Sequence, residues 1–156
     1  MPFLEWLGSW PVAGLLRGSP TGYLFINAAH VLSIGLLVGA ILPLDCRLMG
    51  LTTRAPLAVL APFLTKAAAV GLAGAIVTGC LLFLVRPLDY AGNPAFLIKL
   101  ALLAAALLNI ALQHRHAAFR DALAGGAIRA IVRLHAACSA ALWLAVLLAG
   151  RWIGFL

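Results

Sequence analysis

Four long apolar runs, separated by short polar or turn-forming stretches, dominate the pattern of the chain. They predict spans of about 22–44, 63–85, 95–113 and 131–150. Each is close to the roughly 20 residues that a helix needs to cross the hydrocarbon of a bilayer. Runs of this length exclude β-strands, and in lipid a helix satisfies its own backbone groups. Gly18-Ser19-Pro20 precedes the first run, and Pro43 with the Asp45/Arg47 pair closes it. Arg86-Pro87 closes the second, and LDYAGNP, with Gly92, Asn93 and Pro94, supplies turn chemistry before the third. The stretch HRHAAFRDALAGGAIR is the most polar connector. Ahead of the spans, residues 3–16 (FLEWLGSWPVAGLL) are apolar but short, and Gly8, Pro11 and Gly14 interrupt them. Trp6 and Trp10 suit the headgroup zone, so this segment is expected to be a helix lying in the interface. The pattern predicts one all-α domain over residues 1–156: an integral membrane four-helix bundle with an N-terminal interfacial helix.

Composition agrees. The chain is 65% hydrophobic and 10% charged, with a mean hydropathy of +1.11. Soluble domains average about 45–50% apolar and about 25% charged residues, and they avoid large exposed apolar patches. The net charge of +7 would suggest nucleic acid in a soluble protein. Here the basic residues flank apolar runs, where they orient helices, and no nucleic-acid partner is expected. One side carries Arg47, Arg54, Lys66, Arg115, Arg120, Arg129 and Arg133; the other carries Arg17, Arg86, Lys99 and Arg151. That bias predicts a multi-pass protein of the bacterial inner membrane with both termini periplasmic. MPFLEW has no basic n-region and carries Glu5, so no cleaved signal peptide is expected. Cys46, Cys80 and Cys138 form no CxxC pair, which argues against a disulfide or zinc site. No nucleotide-binding, zincin or hydrolase motif occurs.

Polar groups inside spans are costly and are functional candidates by default. His30 lies about seven residues past Tyr23, roughly 10 Å below the outer surface at 1.5 Å per residue. Asn27, three residues earlier, shares its face. A neutral imidazole there can ligate a metal or haem iron, move a proton, or tie two helices together. Lys99 opens the third span at similar depth, either snorkelling to the headgroups or turned inward near His30. Arg86 and Tyr90 border the same face, and Arg86 would suit a haem propionate or simply mark the boundary. His114, His116 and His135 read as a wet connector, or as a second metal site on the opposite side. Asp45 and Arg47 read as an interfacial ion pair, and Asn109 and Thr78 as interhelical hydrogen-bond groups. Gly71, Ala75 and Gly79 fall four apart and would admit a close helix, in this chain or in a homo-oligomer.

The stretches His30-Val31-Leu32-Ser33-Ile34-Gly35-Leu36-Leu37-Val38-Gly39, Asp45-Cys46-Arg47-Leu48, Asn93-Pro94-Ala95-Phe96-Leu97-Ile98-Lys99 and Ala149-Gly150-Arg151-Trp152-Ile153-Gly154-Phe155 resemble a family of small bacterial four-helix membrane proteins. More loosely, the layout is similar to HemJ-type protoporphyrinogen oxidases and to the membrane domain of copper-resistance protein D. The resemblance implies haem b, with His30 as its metal ligand and a functional role for Lys99. The sixth position would go to Lys99, to a partner chain's His30, or to nothing. The leading expectation is therefore a b-type haem protein. It would pass electrons between quinone and a periplasmic partner, or support a redox step at the outer leaflet. The alternatives are a non-catalytic membrane subunit and a copper-handling protein. Against copper, the chain has only two methionines, Met1 and Met49.

Overall fold

The computed structural model describes residues 2–52 and 56–155. Among these, eight α-helices follow in order: α1 (Pro2–Gly8), α2 (Pro11–Gly18), α3 (Pro20–Met49), α4 (Leu57–Val85), α5 (Pro87–Gly92), α6 (Pro94–Arg115), α7 (Ala117–Leu123) and α8 (Ala130–Trp152). A 3-10 turn, Ile153–Phe155, closes the chain. No strand occurs among the described residues. Four helices, α3, α4, α6 and α8, are long and apolar enough to cross a bilayer. The fold is an all-α bundle, and the protein is a multi-pass membrane protein. No more than 22% of any spanning window is buried inside it. Large side chains such as Phe25, Leu32, Phe63, Val70, Leu108 and Leu148 point outward, as lipid rather than water requires.

Local chemistry sets most helix ends. Ser19 caps α3 by accepting from the Gly22 amide, and Asn93 caps α6 by accepting from Ala95 and Phe96. Gly50, at φ 87°, ends α3 in a left-handed turn whose following amide, Leu51, donates to the Cys46 carbonyl at 3.0 Å. The expected stop at Pro43 is corrected: α3 runs through it to Met49, and α4 runs through Pro62. A proline removes one backbone bond, but in membrane helices neighbouring helices and local adjustment make good the loss. The expected single interfacial helix over 3–16 is likewise corrected to two short ones, α1 and α2, broken ahead of Pro11. Arg17 ties them to the bundle, donating to the Gly8 carbonyl and, at 3.3 Å, to the Val85 carbonyl at the end of α4. The polar connector also folds into a helix, α7, capped by the His116 ring. Arg54 lies outside the described residues.

The neighbours around the bundle are α4 to α3, α3 to α8, and α8 to α6. With an even number of spans, both termini lie at one end, here called the termini end. The other end carries the α3–α4 and α6–α8 connections. Two apolar clusters fill the interior. One, at the connector end, joins Leu48, Leu57, Phe119, Val132 and Ala136; the other, mid-bundle, joins Leu37, Ile41, Ala106 and Trp143. Asn109 and His135 clamp α6 to α8: the ring Nδ1 lies 2.7 Å from Asn109 Oδ1, and Asn109 Nδ2 donates to the His135 carbonyl at 3.0 Å. The α3–α4 seam is the tightest. A Cβ added to Gly71 would sit 2.6 Å from the Leu37 nitrogen and 2.9 Å from the Ser33 carbonyl oxygen, both rigid backbone.

That geometry predicts that Gly71→Ala forces the two helices apart and costs about 1–3 kcal/mol, the usual penalty of overpacking. Gly35→Ala on α3, where a Cβ meets nothing within 4 Å, is expected to cost nothing. Thermal unfolding of both variants in detergent checks this; equal melting temperatures would contradict the seam as described.

Candidate functional site

The termini end of the bundle holds a different set of side chains from the apolar clusters below it. Because Gly71 brings the backbones together, the next turns of α3 and α4 toward this end also meet closely. Gly74 faces Ser33, and Gly79 faces the His30 ring, whose Cε1 would lie 3.1 Å from a Cβ on Gly79. On the same stretch of α4, Thr78 Oγ1 lies 2.8 Å from His30 Nδ1. The Thr78 hydroxyl donates its only proton back to the Gly74 carbonyl at 2.6 Å. It can therefore only accept from the imidazole, so Nδ1 carries a proton. The Ala75 carbonyl, a second acceptor, also lies within reach of the ring. With the proton on Nδ1, a neutral imidazole carries its lone pair on Nε2.

Lys99, on the first turns of α6, is half-buried, and its aliphatic end packs over Gly150 of α8: a Cβ there would sit 3.5–3.6 Å from Cε, Cδ and Nζ. Its ammonium lies within electrostatic reach of His30. Lys99 of α6 and His30 of α3 thus lie at the same end of the bundle, near enough to act on each other electrostatically. Above them an aromatic group closes the end. Phe83 and Phe96 stack at 5.5 Å, and Tyr90 of α5 leans on both, at 6.2 and 5.5 Å. Tyr23, at the start of α3, places its hydroxyl beside that of Tyr90.

Asn27 and Arg86 stand elsewhere. Asn27 is exposed in an open groove of about 500 Å³ on the outward face of α3, lined by Leu24, Ala28, Val31 and Leu32. Arg86 is exposed, 3.9 Å from Asp89, and borders a second groove of about 460 Å³ beside Arg17 and α1. The other histidines have local partners. His114 lies 2.9 Å from the Ile110 carbonyl, His116 caps α7, and His135 is held by Asn109. Gly71 and Gly79 face α3 within the chain, which uses the small-residue stripe for the seam that orients His30. Asp45 turns into the bundle toward Ser139 rather than standing at the interface. Among the described residues no three His, Cys, Asp or Glu side chains gather as a metal shell. Sequence reasoning missed Tyr23, Phe83, Phe96 and Gly150 as site neighbours; the aromatic signal of the first three was visible at the span ends, but not their convergence.

A family model, described as a family of unknown function, DUF6644, matches residues 12–156. The chain belongs to the DUF6644 family. The match takes in α3 to α8, and so every residue of the site. No curated protein and no solved structure matches the chain.

The roof of the site in this DUF6644 member has a measurable signature. Burial pushes the Tyr90 phenol above its ordinary value of about 10, and the adjacent Tyr23 hydroxyl adds to the effect. The fold thus favours the neutral phenol. The resulting stability is whole below the unfolded value and is lost as pH rises through the folded one. An alkaline titration of tyrosinate absorbance follows the Tyr90 step. Tyr23→Phe is expected to move the Tyr90 midpoint down toward its ordinary value. An unmoved midpoint would show that the two hydroxyls are not neighbours.

Proposed function

We propose that this protein binds a b-type haem at the termini end of the bundle, with His30 Nε2 as axial ligand, and serves electron transfer or a redox step there. The carrying observation is the 2.8 Å contact of His30 Nδ1 with the Thr78 hydroxyl, which favours a proton on Nδ1. A metal-binding imidazole needs one bare nitrogen, and it usually donates its other N–H to a neighbour that sets the ring's orientation. Thr78 is that neighbour, and Gly79 lets the ring lie close against α4. Lys99 supplies a positive charge close by, suited to an anionic edge such as a propionate. Phe83, Phe96 and Tyr90 pack together at the same end and would limit water beside a bound group, a condition that tunes a redox centre. Bound haem would supply one-electron chemistry; the chain's own part is to ligate, to balance charge and to exclude water. Two polar features of the site, the early histidine and the lysine opening a later span, accord with the looser likeness to HemJ-type oxidases.

The reading extends to place. Arg47, Lys66, Arg115, Arg120, Arg129 and Arg133 belong to the connector side, against Arg17, Arg86, Lys99 and Arg151 on the other. The positive side faces the cytoplasm of a bacterial inner membrane, which puts both termini and the His30 site toward the periplasm, within reach of quinone or a periplasmic redox partner.

A second reading, a non-catalytic subunit of a larger complex, is favoured by Asn27. A polar amide exposed in an apolar groove on the outward face of α3 is costly in lipid and suits a partner helix.

Visible spectra of the purified protein, from cells making ample haem, test the first reading. A Soret band that sharpens with an α-band on reduction is expected, lost in His30→Ala. Thr78→Val is expected to keep the fold and weaken haem binding about 10–100-fold, the usual effect of removing a ligand's orienting partner. A colourless protein, or a spectrum indifferent to His30→Ala, would overturn the assignment. A colourless protein that copurifies with a membrane partner, and loses it on Asn27→Leu, would establish the second reading.

A further inference from the structure

The chain has four acidic residues. Glu5, Asp89 and Asp121 are exposed, the latter two beside Arg86 and Arg129 at 3.9 and 3.8 Å. Asp45 is different. It lies on α3 and is only 3% exposed, in the half of the bundle away from His30. A buried carboxyl inside a membrane bundle is expensive and calls for a reason. Ser139 of α8, itself 2% exposed, hydrogen-bonds the carboxyl, while Asp45 Oδ2 has no partner. Buried polar atoms without partners are rare, and each points to a water, an ion or a function.

The surroundings decide which. Trp143 sits one turn beyond Ser139 on α8, 1% exposed, and its indole Nε1 also lacks a partner. Helical side chains lean toward the N-terminus of their helix, so the indole leans from position 143 back toward Ser139 and Asp45. Both helices also meet one turn away, where Ile41 and Trp143 share the mid-bundle cluster. Hydroxyl and indole N–H groups donate, and they suit carboxyl oxygens and a bridging water. A metal cation would need further acceptors, and no cluster of them exists among the described residues. On α8, one turn toward the connector end, His135 is bound to Asn109 of α6, and Cys138 is exposed. The Lys66 side chain of α4 is exposed, Gln113 of α6 is buried with Nε2 unpartnered, and Arg47 lies about 200° around α3 from Asp45.

We propose that Asp45 is a proton-binding site, a carboxyl that takes a proton on Oδ2 and gives it up again inside the bundle while Ser139 holds the other oxygen. Uptake forms one O–H bond at Oδ2 and turns a hydronium ion into water; release reverses this, and no electron moves. Asp45 lies four residues before the end of α3, about 6 Å along the axis, so exchange with water at the connector end is short-range. The proposal is independent of any cofactor at His30.

Infrared difference spectra of the intact protein in phosphatidylcholine vesicles, recorded as pH is stepped, test it. A protonated-carboxyl C=O band is expected to grow and fade with pH, to shift in heavy water, and to vanish in Asp45→Asn. Ser139→Ala is expected to keep the band and move its frequency, because the hydrogen bond to the carboxyl is gone. A band unaffected by Asp45→Asn, no such band at any pH, or one that never changes with pH would overturn the proposal. Should Asp45→Asn fail to fold, labelling of the wild-type protein by a hydrophobic carbodiimide, mapped by peptide mass, decides. A pH-dependent adduct on Asp45 is expected, and its absence contradicts the proposal.

Discussion

Gly71 lets α4 lie so close to α3 that a side chain there would strike the Leu37 backbone, and the arrangement at the termini end follows from that approach. Lipid offers little hydrophobic gain for helix association, so close backbone packing carries much of it. Once the pair is locked at Gly71, the next turns of the two helices are held in register. Gly74 then meets Ser33, Gly79 meets the His30 ring, and Thr78 reaches Nδ1. A shift of one turn would separate the imidazole from its threonine. The glycines thus serve two links at once: they build the seam, and the seam chooses which nitrogen of His30 stays bare.

The two ends of the bundle divide the work. Toward the connections, Leu48, Phe119, Val132 and Trp143 fill the interior with apolar bulk, and the Asn109–His135 clamp fastens α6 to α8. Toward the termini, the bundle holds an imidazole and a lysine amine beneath an aromatic roof that includes Tyr90. Arg17 pins the two short surface helices against the end of α4, so the site's border is tied to the bundle. The buried carboxyl, Asp45, stands apart from both features and faces Ser139 of α8.

Much of this was legible in the chain. Four apolar runs located the spans, because length and composition suffice when the solvent is lipid. Their ends were less legible. Pro43 read as a stop by the rule for soluble helices, yet α3 passes through it to Met49. His30 and Lys99 stood out as polar groups in apolar runs. Asn27 was grouped with His30 from spacing alone, and that grouping could not tell which side of α3 faces the bundle. In a soluble helix a polar face marks the outside, but a helix apolar all round gives no such mark. The bond to Thr78 and the contact with Gly150 depend on the pairing of α3 with α4 and of α6 with α8, which no local pattern encodes. Asp45 was misread for a related reason: beside Arg47 at the end of a run it looked interfacial, whereas the extra turn of α3 beyond Pro43 carries it inside.

The central claim is that the α3–α4 seam fixes the His30 ring with a proton on Nδ1 and a bare Nε2. Nitrogen-15 solid-state NMR of the histidine-labelled protein in lipid bilayers measures this directly, with His30→Gln used to assign the signal. The account predicts one His30 population, protonated at Nδ1 and unprotonated at Nε2, that loses its single form when Thr78 is replaced by valine. A proton on Nε2, or a ring indifferent to Thr78, would contradict it.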